Sequence, residues 1–166
     1  LDEGGVDVSP GDVRAIVLHT VGVRGDTTVA AIDRYHRSLG WRGCGYHYVV
    51  RKDGTVEPGR ALGELGAHTA GANDSWGVCV AGDGDSEPWT QAQWRAVLAL
   101  VAELRRRAGP RPLPVVGHRE APARLGAALT SKTCPGRLVD LDEVRAELER
   151  AEDGTDGGLD TSRPAR

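Results

Sequence analysis

The chain has 166 residues, 39% of them hydrophobic and 27% charged, with a net charge of −3. This length fits a single domain that buries a core without covalent staples, and the mildly acidic balance argues against general nucleic-acid binding, which leaves a basic footprint. No apolar run approaches the ~20 residues a membrane-spanning helix needs, so no membrane insertion is expected. No signal-peptide pattern opens the numbered chain, which starts at Leu1 and contains no Met.

Residues 1–12 form an N-terminal segment ahead of the first clear element. Val13 to Leu18 is short, apolar and β-branched, the pattern of a buried strand, and it ends at His19. Asp26 or Thr27 is placed to cap a helix with Val29, Ile32, Tyr35, His36 and Leu39 on one face, stopped by Gly40. Tyr46 to Val50 reads as a second strand, Asp53-Gly54 as a hairpin turn and Thr55 to Glu57 as the returning strand. Residues 59–74 are rich in Gly and Ala and read as a long loop with room for one helical turn. Trp76 to Ala81 is a third long strand. Thr90 and Gln93 make a capping box for a helix that turns Trp94, Val97, Leu98, Val101 and Leu104 inward and stops at Gly109-Pro110. Leu113 to Val116 is a short buried strand leading to Gly117-His118, followed by a loop with one helical turn to Pro135. A last helix is expected over 138–151, with Leu138, Leu141, Val144 and Leu148 inward. From 152 to 166 the Gly-, Asp- and Pro-rich sequence has no apolar pattern and is expected to be a disordered tail. Strands and helices alternate around one hairpin, so the expected fold is α/β: a single domain, residues 13–151, with a mixed central β-sheet flanked by helices.

Five histidines and three cysteines carry the chemistry. The odd cysteine count argues against a disulfide framework. His19 and His118 each follow a buried strand, and strand ends on a rigid sheet are where α/β folds present functional groups. Cys134 lies in a polar loop two residues after Lys132, a setting that suits a thiolate. Two His and one Cys make a zinc shell with a fourth position open. A thiol enzyme, with Cys134 as nucleophile and His19 or His118 as base, fits the same three residues.

Five segments in order then resemble a known family. They are Ile16-Val17-Leu18-His19-Thr20; Tyr35-His36 with Gly40-Trp41 and Gly45-Tyr46-His47-Tyr48; Asp53 to Arg60; Gly66-Ala67-His68 with Asn73 and Gly77 to Val80; and Gly117-His118-Arg119-Glu120 with Lys132-Thr133-Cys134-Pro135-Gly136. The chain resembles the N-acetylmuramoyl-L-alanine amidases, the family that includes bacteriophage T7 lysozyme and the peptidoglycan recognition proteins. The resemblance implies a zinc site in a surface groove, with His19, His118 and Cys134 as ligands. It also implies Tyr46 and Lys132 as catalytic residues. Peptidoglycan is the implied partner, cut at the amide joining N-acetylmuramic acid to L-alanine.

By the same resemblance His47, His68 and Asn73 lie near the groove as candidate substrate contacts, and the two histidines are equally placed to buttress a zinc ligand. The protein is expected to act on the cell wall as a monomer, made in the cytoplasm in the manner of an endolysin, or secreted. The alternative is a non-catalytic peptidoglycan-binding or regulatory protein on the same fold. One departure stands out: Arg124 to Leu129 lengthens the segment between His118 and Lys132 relative to T7 lysozyme, in a loop expected to border the groove.

Overall fold

The computed structural model describes residues 6–154. Five strands form one mixed sheet: β1 (Ile16–Thr20), β2 (Tyr48–Val50), β3 (Val56–Pro58), β4 (Trp76–Val80) and β5 (Val115–Gly117), in the order β3-β2-β4-β1-β5. The β2–β3 hairpin is antiparallel, while β2, β4, β1 and β5 run parallel. The helices are α1 (Val29–Ser38), α2 (Gln91–Ala108), α3 (Ala121–Leu125) and α4 (Leu141–Glu152). The expected single-domain α/β architecture with a mixed, helix-flanked sheet is the one observed.

Alternation along the strands sorts the side chains into layers. Ile16 and Leu18 of β1 join Trp76, Val78 and Val80 of β4 in the main core, which takes in Val97, Val101 and Leu104 of α2 and Val144 and Leu148 of α4. Val17 faces the other way with Ala15 and Val116. On that second face Val49 and Cys79 meet Ile32 of α1 and Cys44. His19 follows Val17 by two residues and therefore belongs to the thinner, α1 side of the sheet.

The helix ends explain several departures from expectation. The cap of α1 is Thr28, whose side chain accepts from the Ala31 N–H. Asp26 is unavailable for that role because its carboxylate takes the Arg51 guanidinium and the Lys52 N–H. Tyr35 and Leu39, expected inward, are exposed. Leu39 lies past the end of α1. Thr90 and Gln93 form the expected capping box of α2. In α4 the start moves to Leu141, because Asp140 accepts from the Glu143 N–H and caps there, and Leu138 is left exposed. No helical turn forms in 59–74. The expected tail lies outside the described residues from 155 onward, and Glu152 closes α4.

Candidate metal centre

Parallel pairing brings the site together. Leu18 stands opposite Gly117 across β1 and β5, so His19, next to the last residue of β1, and His118, just past the end of β5, lie at the same end of the sheet. Their rings are 4.8 Å apart, centroid to centroid. Cys134 arrives from the loop after α3, and its Sγ lies 3.6 Å from His19 Nδ1. Ligand-capable atoms of His19, His118 and Cys134 all fall within 4.8 Å of one another. Zinc bonds of ordinary length to N and S in a tetrahedral shell put those two atoms roughly 3.5 Å apart, close to the observed His19–Cys134 separation. The donor set of two imidazoles and one thiol fits such an ion.

The loop that delivers Cys134 is held by Arg119, the neighbour of His118. The Arg119 N–H donates to the Cys134 carbonyl. Its guanidinium donates to the carbonyls of Thr133, Gly136 and Val139. One residue thus ties the elements carrying two of the three candidate ligands, a role not read from the sequence although Arg119 adjoins His118 there. Gly136 completes the turn at φ +117°, and a Cβ on it would strike the Gly84 backbone.

Electrostatics favour neutral histidines. Burial, with His68, His118 and Lys132 adding to it, lowers the His19 pKa well below its ordinary value. Burial and then Lys132 lower that of His118. Cys134 departs from the expectation of a polar loop: it is buried, and burial pushes its thiol up to about 11, against the opposing pull of the Thr20 N–H, Lys132 and Arg119. A thiol so placed is not an activated nucleophile near neutral pH. It becomes a thiolate when a cation is its partner.

Tyr46 lies in the turn before β2, with its ring 5.1 Å from that of His19. Burial, then Cys79 and Cys134, raise its pKa well above the ordinary value. Lys132 is exposed at the rim, with its charge felt by all three candidate ligands.

The remaining candidates turn inward. The Nε2–H of His47 donates to the Glu64 carbonyl at 2.9 Å and its Nδ1 accepts from the Gly77 N–H at 3.0 Å. His68 Nε2 meets the Ser75 carbonyl at 2.9 Å, and its Nδ1 lies 3.0 Å from His19 Nε2. Burial lowers the two pKa values to about 4 and about 3. With their ring nitrogens engaged by the protein, neither histidine has one left for substrate. The Asn73 side-chain oxygen accepts from the backbone N–H groups of His68 and Thr69, which fixes the loop.

Of the lengthened segment, Arg124 and Leu125 close α3, Gly126 caps it, and Ala127 packs with Ala72 and Ala121. Ala128 N–H donates to Ala70, so the extra residues brace the loop carrying His68, and Leu129 projects into solvent. Glu120 pairs with Arg145 of α4. Cys44, Cys79 and Cys134 are all free thiols.

Residues 9–137 match the family model described as N-acetylmuramoyl-L-alanine amidase. The chain belongs to that family. It is 41% identical over 86 residues to an endolysin of Klebsiella phage KP32, covering 48% of this chain and 57% of that protein. It is 35% identical over 116 residues to an endolysin of Enterobacteria phage K11, covering 66% of this chain and 70% of that one. The solved structure of the endolysin amidase LysCS from Clostridium intestinale matches with a TM-score of 0.73 at 29% identity, covering 85% of this chain and 87% of that chain. The matched part is thus less than two thirds of the KP32 protein's length. Among the described residues no helix is long and apolar enough to cross a membrane.

Proposed function

We propose that this protein is a zinc-dependent amidase that hydrolyses the bond between N-acetylmuramic acid and L-alanine in peptidoglycan. The observation that carries the reading is the convergence of His19, His118 and Cys134 in a chain of the amidase family. The chemistry a zinc ion supplies when held by these three residues is polarisation of the amide carbonyl and activation of water near neutral pH.

The protein's own residues do the rest. As water adds to the carbonyl carbon, negative charge grows on the carbonyl oxygen. The exposed Lys132 ammonium, whose charge is felt at all three candidate ligands, is the group to meet that charge. The departing alanine nitrogen must gain a proton when the C–N bond breaks. Tyr46, with its ring 5.1 Å from that of His19, is the residue placed to orient the proton moving to that nitrogen. The hydrogen bonds of His47 and of the Asn73 side-chain oxygen go to the scaffold around the site. The convergence of two histidines on Cys134, rather than one, suits a ligand set better than a nucleophile with its base.

Purified peptidoglycan tests the reading. The expected result is falling turbidity together with new N-terminal alanine, lost on chelation and restored by zinc. Lysis that survives the chelator and dies on thiol alkylation would instead establish the thiol enzyme. Binding to the walls without any new alanine termini would establish the non-catalytic alternative.

A further inference from the structure

His68 lies outside the candidate ligand trio, yet its hydrogen bonds determine how His19 is held. The Ser75 carbonyl oxygen, 2.9 Å from His68 Nε2, only accepts, so His68 Nε2 carries the ring's hydrogen. In the neutral ring Nδ1 is then a bare lone pair. His19 Nε2 lies 3.0 Å from it. Two lone pairs facing at that distance repel, so His19 Nε2 carries the hydrogen and donates it. His19 Nδ1 is therefore the bare nitrogen, and it is the atom 3.6 Å from Cys134 Sγ. The Thr69 hydroxyl sits beside this junction, 2.8 Å from His68 Nδ1 and 3.3 Å from His19 Nε2.

The slot around the His68 ring is built to its shape. A Cβ on Gly66 would come within 2.4 Å of the ring and one on Gly77 within 2.6 Å. Neither glycine has a positive φ, so what these positions require is space for the imidazole rather than backbone freedom. Asn73 pins the His68 backbone from the other side.

We propose that His68 is a positioning residue: the relay from the Ser75 carbonyl through His68 to His19 locks the His19 ring with Nδ1 turned toward Cys134, ready to ligate. This rests on the reading of His19, His118 and Cys134 as metal ligands. Partners of this kind typically change metal affinity by roughly 10–100-fold.

The test is zinc affinity by competition with a chelator, joined to nitrogen NMR of the wild-type protein. His68→Phe keeps the ring's bulk without an acceptor and is expected to bind zinc roughly 10–100-fold more weakly. His68→Asn offers an amide oxygen near the place of Nδ1 and is expected to recover most of the loss. In wild type the His19 Nε2–H is expected to show coupling across the hydrogen bond to His68 Nδ1, a measurement that stands even where a variant does not fold. Absence of that coupling, or a folded His68→Phe that binds zinc as tightly as wild type, overturns the relay. Cys134→Ser and His118→Ala in the same titration separate the two readings. Should they lose zinc while His68→Phe keeps it, only the relay fails; should none of the three lose it, the metal site itself fails.

Discussion

Burial does most to keep His19 and His118 neutral, and Lys132, exposed at the rim, adds to it from outside. Among the described residues the Lys132 ammonium makes no hydrogen bond or ion pair, so its removal tests chemistry apart from folding. Lys132→Ala is expected to leave zinc content and thermal stability unchanged while kcat falls about 10²- to 10³-fold, the usual loss when a transition-state charge partner is removed. A change confined to KM, or a loss of zinc, would contradict the role. Strand ends and a lysine two residues before Cys134 made the three candidate ligands noticeable, and the ordered motifs of the amidase family made them a set. The ionisation of Cys134 was not, since its burial depends on Thr20 and on the Arg119 clamp, 114 residues and 15 residues away along the chain. His68 was legible as a residue near the site and not as a partner of His19, for the same reason: their contact joins residues 49 apart along the chain.

At the scale of elements, the strands and α2 were readable because their apolar periodicity is strong and the Thr90 box is local. The ends of α1 and α4 were not, because capping residues compete. Asp26 is drawn off by Arg51, and Asp140 captures the start of α4 ahead of the apolar Leu138. The docking of α4 bears on the site through Glu120, in the turn that follows β5 and carries His118. Burial pushes the Glu120 carboxyl up, but Arg145 and the Gly117 N–H outweigh it and the group sits below its ordinary value. A carboxyl depressed on folding contributes stability that is fully present above its unfolded value, about 4.3, and lost as pH falls through the folded one. Glu120→Gln is therefore expected to destabilise the protein by about 1–3 kcal/mol at pH 7, measured by denaturant unfolding. The gap from wild type is expected to close in acid. A gap that stays constant with pH would show that charge is not what Glu120 contributes.

For the molecule as a whole, the sheet's two faces divide the labour. The α2 and α4 side holds the main core, while the thinner α1 side leaves room at the strand ends for His19, His118, Cys134 and Tyr46. A ligand bound only by the folded state stabilises it by mass action, so zinc is expected to raise the melting temperature of the metal-stripped protein, with no such rise for Cys134→Ser. The most direct test of the central claim is zinc content in the purified wild-type protein and in Cys134→Ser, measured by elemental analysis after dialysis. The account predicts stoichiometric zinc in wild type and a marked loss in the variant; equal zinc in both would remove Cys134 from the site and contradict it.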